Sequence, residues 1–252
     1  DFQRLAPSFT VSLQPWQEQL LFLRLMYKST FRMPTFNDLY YYRLGNRSLR
    51  PEKANEYNMG ITWSRSFSSF LNYLSVTVDG YYNDVTDKIV AFPTTYAWKM
   101  ANYGKVHVTG MDATLAAAAS LGKNMVLVVS GGYTWQKAID LTDATSKSYK
   151  DQLPYTPKHS GNVSAVLEMP WVNVGYSIVG VSERYSMSQN IPENRIDGYM
   201  EHTVSLSRNF SFRHCKLRLQ AEIINLTDTQ YDVIKYYPMP GRSWRLTGTI
   251  EF

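Results

Sequence analysis

Apolar and polar residues alternate one by one along most of this chain. In one early segment Leu23, Leu25 and Tyr27 alternate with Arg24 and Lys28. A period of two residues is that of a β-strand, because successive side chains of a strand point to opposite faces of the sheet. Eleven such segments can be counted along the sequence. Short turns join them at one end and longer loops join them at the other, and the predicted loops include residues 84–103 and 182–196.

The alternation also predicts which residues share a face. The residues expected to point outward are Leu23, Val76, Leu115, Val129, Leu167 and Leu219. Those expected to point inward are Arg24, Asp79, Asp112, Glu168 and Glu222. A dry sandwich would bury these charges at a high cost, whereas a water-filled lumen hydrates them. The pattern therefore favours an all-β, antiparallel transmembrane barrel over a soluble all-β fold.

Composition supports strands and a membrane interface. The chain of 252 residues contains 19 Tyr, 6 Trp and 11 Phe, residue types enriched in strands and in interfacial girdles. No apolar run reaches the roughly 18 residues of a spanning helix, which excludes a helical membrane protein. The run 116–119 consists of alanine, but the turn that follows it favours a strand there. The aromatic residues expected in a girdle at the turn side are Trp16, Trp63, Phe70, Trp171, Phe210, Phe212 and Phe252.

Three motifs near the end of the chain stand in a fixed order. Asn225-Leu226-Thr227-Asp228 is followed by Tyr231, then by Tyr237-Pro238-Met239-Pro240-Gly241-Arg242, and the last strand ends in Phe252. Two further motifs occur much earlier, Phe31-Arg32-Met33-Pro34-Thr35-Phe36 with Leu39-Tyr40, and Leu49-Arg50-Pro51-Glu52. Together they resemble the TonB-dependent outer-membrane receptors.

This resemblance implies more than the residues present. The family has a barrel of twenty-two strands preceded by a plug domain. Eleven is an odd number, while single-chain bacterial barrels have even numbers of strands. We therefore expect residues 1–252 to be the C-terminal half of the barrel domain, without the plug. In this family the terminal Phe, here Phe252, is read by the barrel-assembly machinery.

The resemblance implies an active transporter in the bacterial outer membrane. Such receptors take up scarce nutrients such as siderophores, cobalamin or haem, with energy delivered by TonB through the plug domain. Haem receptors place a histidine between the two early motifs, and residues 33–53 contain none, which makes haem less favoured. The alternative is a passive porin or an adhesin barrel, which strand alternation alone would allow.

No pattern in the sequence indicates catalysis, and no cofactor is expected. The four histidines share no spacing typical of metal ligands, and no paired nucleophile and base support a barrel hydrolase. The net charge is +5, but no Lys or Arg run exceeds two residues, so a nucleic-acid partner is not indicated. The single Cys215 is interpreted as a small apolar strand residue.

Ligand capture is therefore expected from aromatic residues in the long loops, which offer flat faces at low entropic cost. The predicted binding residues are Tyr40, Tyr41, Tyr42, Arg43, Trp98, Tyr149, Tyr185, Met187, Tyr231, Tyr236 and Tyr237. Family-motif residues such as Arg32, Glu52, Gly241 and Arg242 are expected to shape the loops instead. The expected partners are a small-molecule nutrient, outer-membrane lipid, TonB and the assembly machinery.

Overall fold

The computed structural model describes residues 5–16, 20–68, 70–93, 97–122, 124–213 and 215–251. In chain order the elements are β1 (Ser8–Leu13), β2 (Leu20–Arg32), α1 (Phe36–Tyr40), β3 (Glu52–Ser66), β4 (Leu71–Pro93), β5 (Trp98–Gly122), β6 (Met125–Asp140), β7 (His159–Glu168), β8 (Asn173–Val181), β9 (Arg184–Tyr185), a 3₁₀ turn (Pro192–Asn194), β10 (Arg195–Ile196), β11 (Tyr199–Ser211), β12 (Lys216–Ile224), β13 (Asp232–Ile234), β14 (Tyr237–Pro238) and β15 (Ser243–Glu251).

Eleven of the described strands form one antiparallel sheet in the order β1-β2-β3-β4-β5-β6-β7-β8-β11-β12-β15. The two remaining strand pairs, β9 with β10 and β13 with β14, are small hairpins in the loops. The count of eleven strands and the near absence of helix are confirmed. Among the described residues, no helix combines the length and the hydropathy needed to cross a membrane.

Strand register separates the side chains into two faces. Leu23 pairs with Ile61, while Arg24 pairs with Gly60, which in turn pairs with Asp79. Following the register across the sheet, all the residues predicted to point outward share what we name the apolar face. All those predicted to point inward share the opposite, polar face. The predicted alternation is confirmed.

Gly60 shows how the polar face is built. The Arg24 guanidinium reaches over it from β2 to the Asp79 carboxylate of β4, with 2.9 Å between Nη2 and Oδ1. A Cβ at position 60 would collide with that carboxylate. Farther along, Thr134 Oγ1 donates to Asp112 Oδ1 at 2.6 Å. Charged residues of the polar face are thus held by charged or polar side chains of other strands.

Two segments that the sequence predicted to be loop contain strands. Residues 84–103 were expected to form a long loop, but β4 continues to Pro93 and β5 begins at Trp98, and the two strands pair along this whole extension. Asp87, with φ of 54°, interrupts the regular backbone and obscures the alternation. The segment 182–196, also expected to be loop, contains the β9–β10 hairpin.

The extended strands carry the apolar cores. Val85, Val106 and Ala138 pack with Leu153 from the loop after β6. Ile89 and Met100 pack with Leu49, supported by Leu39 and Leu44. By register the strand residues of both clusters belong to the polar face. The long loops therefore fold back over the polar face at the loop end of the sheet.

Candidate functional site

Four segments at the loop end of the sheet carry the predicted binding residues. They are loop 33–51, loop 141–158, loop 182–198 and loop 225–242. The described loop ends of β4 and β5 contact two of them, through Met100 with loop 33–51 and Trp98 with loop 141–158. Their contacts decide which predicted residues can act on one ligand.

Loop 33–51 presents the tyrosine cluster at the end of α1. Thr35 caps this helix, and the Asp38 carboxylate accepts hydrogen bonds from the Thr35 N–H and from Arg32 at 2.9 and 2.8 Å. Burial alone would raise the pKa of Asp38, but these hydrogen bonds outweigh it and lower that pKa. Gly45 closes the turn after the helix, because a Cβ there would lie 2.7 Å from the Tyr41 nitrogen.

The tyrosines of this turn are accessible. Tyr40, Tyr41 and Tyr42 are 49, 60 and 79% exposed. The Arg43 guanidinium lies 5.1 Å from the ring centre of Tyr42, and that of Arg47 lies at the same distance from Tyr40. The cluster therefore offers flat aromatic faces alternating with positive charge, a surface suited to conjugated or anionic ligands.

The second early motif clamps the β4–β5 extension. Arg50 forms an ion pair of 2.6 Å with Asp87, and the Glu52 carboxylate accepts the Ile89 N–H at 2.9 Å. Asn102 donates to the carbonyls of Arg50 and Asp87. These residues shape the loop, as predicted for Glu52.

A pocket of about 340 Å³ lies between loop 182–198 and loop 225–242. Its volume is within the range of small-molecule sites, about 300 to 1,000 Å³. It contains both signs of charge together with aromatic rings. The residues that line it are Arg195, Ile196, Asp197, Gly198, Gln230, Tyr231, Asp232, Lys235, Tyr236 and Pro238.

Buried Arg184 ties the two loops of this pocket together. Its Nη2 donates to the carbonyls of Asp232 and Val233 at 2.6 and 3.0 Å, and its guanidinium lies 5.8 Å from the Tyr199 ring centre. Arg184 is 4% exposed, and its Nη1 is buried with no hydrogen-bond partner in the described part of the chain. Lys235 Nζ adds a hydrogen bond to the Glu193 carbonyl.

Tyr231 anchors the pocket to the wall. Its ring stacks on Tyr199 of β11 with 3.9 Å between centres, and its hydroxyl donates to Glu201 Oε2 at 2.6 Å. Burial and then this hydrogen bond raise the pKa of Tyr231, because both disfavour the phenolate. Tyr199 and Glu201 lie on the polar face, so loop 225–242 folds inward over it.

The late family motif holds loop 225–242 in shape. Asn225 is fully buried with φ of 53°; it donates to the Thr229 carbonyl and accepts from the Thr229 N–H, both at 2.9 Å. Asp228 Oδ1 accepts the Arg242 N–H at 2.8 Å, and a Cβ at Gly241 would lie 2.5 Å from that oxygen. A side chain at position 241 would displace this carboxylate, so glycine allows the contact between Asp228 and Arg242.

Further contacts connect the remaining loops. Asn190 of loop 182–198 exchanges hydrogen bonds of 2.8 and 3.0 Å with the backbone of Gln152 in loop 141–158. The Tyr155 N–H donates to the Tyr185 carbonyl at 2.7 Å, and the Tyr155 ring lies 5.5 Å from that of Trp98. Tyr103 and Ser188 share a hydrogen bond of 2.7 Å.

The structure divides the predicted binding residues into groups. Tyr231 and Tyr236 line the pocket, while Tyr40, Tyr41, Tyr42 and Arg43 form a separate surface on loop 33–51. Trp98 and Tyr185 both contact Tyr155. The Tyr149 ring lies beside the Lys150 ammonium group, and Met187 is half-buried. Tyr237 belongs to strand β14 and is exposed.

The contacts that join the loops were not predicted from the sequence. Arg184, Tyr155 and Lys235 lie outside the family motifs and carry no periodic signal. Tyr199 follows the alternation of β11, but alternation gives no sign of its contact with Tyr231. Tyr155 lies between two prolines in Leu153-Pro154-Tyr155-Thr156-Pro157. The prolines indicated a loop, but nothing in the sequence indicated that Tyr155 contacts Tyr185 and Trp98. In the described ranges, His, Cys, Asp and Glu side chains form no group of three that could hold a metal ion.

Comparison with known families identifies this architecture. The family described as TonB dependent receptor-like, beta-barrel matches residues 1–226. The chain belongs to the TonB-dependent receptor family. Members of this family are outer-membrane proteins, so the sheet is a segment of an outer-membrane barrel wall.

Individual relatives agree with this assignment. Over 230 residues the chain is 26% identical to the vitamin B12 transporter BtuB of Photobacterium profundum, covering 88% of this chain and 34% of the relative. The vitamin B12 transporter BtuB of Vibrio vulnificus is also 26% identical, with 88 and 33% covered. The chain thus spans about a third of the length of these relatives.

Solved structures share the fold. The unliganded ferric citrate transporter FecA superposes with a TM-score of 0.74 at 15% identity, covering 96% of this chain and 37% of that one. The siderophore receptor PiuA of Acinetobacter baumannii gives 0.71 at 19% identity, covering 97 and 35%. At such identities the similarity establishes the fold alone.

Proposed function

We propose that the chain is the C-terminal part of a receptor barrel that imports a scarce small-molecule nutrient, with energy delivered by TonB. The observation that carries this proposal is the inward folding of loops 141–158, 182–198 and 225–242 over the polar face, around a pocket with aromatic and charged walls. Similarity to vitamin B12 transporters supports nutrient uptake.

In this proposal the loops bind the ligand, and the polar face of the barrel wall lines its path. The exposed rings of Tyr40, Tyr41 and Tyr42 meet the ligand first, and Tyr231 and Tyr236 hold it at the pocket. A cobalamin or a ferric siderophore suits such a surface, because both present conjugated rings and polar edges. No covalent step is involved, which agrees with relatives that are transporters and not enzymes. Displacement of a plug domain would then open the polar lumen.

The test uses the full-length receptor and measures ligand binding by titration. Changing Tyr41, Tyr42 or Tyr236 to Ala should each weaken binding by about 0.5 to 3 kcal/mol, the range for losing one aromatic contact. Phe212→Ala is the matched control, since Phe212 is 58% exposed at the opposite end of the sheet. Unchanged affinity in all three loop variants would refute the assignment of the site.

Energy coupling is tested separately by uptake into cells with and without functional TonB. A TonB-dependent receptor should bind ligand in both strains but accumulate it only when TonB is present. Equal uptake in both would favour the passive porin alternative.

The terminal Phe252 lies outside the described residues, and its role in assembly stays a proposal. Deleting it should reduce the amount of membrane-inserted receptor, and the inserted fraction should bind ligand normally.

A further inference from the structure

A repeated side-chain pair follows the loop end of the apolar face. Tyr133 Oη and His159 Nδ1 are 2.7 Å apart, as are Tyr176 Oη and His202 Nδ1. Tyr133 pairs directly with Gly161 on the next strand, and His159 lies two residues from Gly161 toward the loops. In the same way Tyr176 pairs with Val204, and His202 lies two residues from Val204 toward the loops. The same diagonal holds for Tyr82 with His107 at 3.2 Å, and for Tyr27 with Asn55 at 3.4 Å. Four hairpins thus place a polar row beside the apolar face.

Beside one of these pairs the apolar face contains a groove of about 450 Å³. Its floor is a pair of directly opposed glycines, Gly161 of β7 and Gly180 of β8. In the same cross-strand row Tyr133 and Met200 stand on either side of them. The groove is therefore a place where the apolar face lacks side chains, and the hydrogen-bonded pair of Tyr133 and His159 closes it at the loop end.

The two ends of this groove differ in chemistry. Val163 and Ile178 line it on the turn side, and His159 lines it on the loop side. When the Tyr133 hydroxyl donates to Nδ1, the ring proton of His159 lies on Nε2, which has no partner in the described part of the chain. That N–H can donate to an oxygen atom of a molecule lying in the groove.

We propose that this groove is a binding site for a phosphorylated lipid of the outer leaflet, with an acyl chain on Gly161 and Gly180 and a phosphate oxygen accepting from His159. The groove continues the apolar face of an outer-membrane wall, and its polar end lies on the loop side, where headgroups are expected. An amphipathic occupant fits both ends, whereas an entirely apolar occupant would leave the His159 donor unpaired.

The test uses the full-length receptor purified in mild detergent, with lipid A added and retained lipid counted by native mass spectrometry. Gly180→Val fills the groove, and its Cβ would meet only Met200, at an ordinary 3.7 Å from Cγ. Gly248→Val is the matched control, because it adds the same side chain to the apolar face on β15, away from the groove, where its Cβ would meet only Leu219 at an ordinary 3.6 Å. Retention should fall at least about tenfold for Gly180→Val and stay unchanged for Gly248→Val.

The headgroup contact is tested by His159→Phe, which keeps a ring but removes the donor. This variant should lose about tenfold in retention of lipid A, the effect of one hydrogen bond to a charged group, and should no longer distinguish lipid A from its dephosphorylated form. Equal retention by the original protein and Gly180→Val would overturn the site. Equal retention of phosphorylated and dephosphorylated lipid A by the original protein would overturn the phosphate contact. A receptor dimer abolished by Gly180→Val would instead assign the groove to a second copy of the chain.

Discussion

The loop end and the turn end of this sheet are stabilised in different ways. All eight buried apolar side chains among the described residues lie at the loop end or in the loops. At the turn end the sheet is a single layer, and aromatic residues such as Trp171 and Phe212 are 62 and 58% exposed. The loop end therefore resembles a soluble domain with its own core, whereas the turn end relies on its strand ladder and its surroundings.

This difference predicts which region of the protein each kind of substitution will affect. A substitution in the loop core should release the loops and spare the wall, because the strands below remain paired on both sides. A substitution on the apolar face should impair insertion and spare the loops.

The largest effect is expected for Val106→Asp. Val106 is fully buried between Val85, Ala138 and Leu153, and an unpaired charge there should cost about 4 kcal/mol or more. Protease should then cleave loop 141–158 in the folded receptor, whereas the original protein resists. Val128→Asp is the control, since Val128 lies half-buried on the polar face of the wall. Similar protease resistance in both variants would contradict a separate loop core.

A smaller effect is expected for Leu115→Arg on the apolar face. A cation facing lipid costs about 2 to 4 kcal/mol near the middle of the membrane. Its neighbour Thr114 lies on the polar face, so Thr114→Arg should cost little. The measurement is the free energy of unfolding in lipid vesicles. The reverse order of the two costs would show that the two faces are exchanged.

Asn225→Ala tests the late motif of the loop end. The change leaves the half-buried Thr229 N–H and the carbonyls of Thr229 and Pro240 without the Asn225 partner, at about 1 to 3 kcal/mol. Amide hydrogen exchange in loop 225–242 should rise while exchange in β11 stays slow. Asn209→Ala, at an exposed position of the turn end, should leave amide hydrogen exchange unchanged both in loop 225–242 and in β11.

The smallest effect is expected for Tyr231→Phe, which removes the hydroxyl contact with Glu201. The cost should be about 1 kcal/mol in the thermal stability of the loops. The pKa of Tyr231 is raised in the folded protein. The hydrogen bond to Glu201 therefore contributes its full stabilisation below the usual tyrosine pKa of about 10, and this stabilisation is lost only as pH rises through the pKa of Tyr231 in the folded protein. The difference between the two proteins should therefore be constant near neutral pH and shrink in strong alkali. A difference that disappears below pH 9 would contradict the hydrogen bond to Glu201.

The loops show why sequence analysis succeeded only in part. The exposure of Tyr41 and Tyr42 in the loop after α1 was predicted correctly, because a cluster of aromatics in a polar loop is visible in the sequence itself. Arg184 was not found, because its role depends on carbonyls of Asp232 and Val233, nearly fifty residues away. The extension of β4 and β5 was mistaken for a loop because Asp87 breaks the alternation on which strand prediction rests.

By itself the sequence determined the eleven strands, the face of each alternating residue and the family, because a period of two is a local property of the chain. The family motifs also marked residues that shape loops, such as Glu52 and Gly241. Only the tertiary structure decided that the loops fold inward, that Tyr231 reaches Glu201 across the polar face, and that two glycines meet in a groove on the other side. These features depend on register and on contacts between distant segments, which no local pattern encodes.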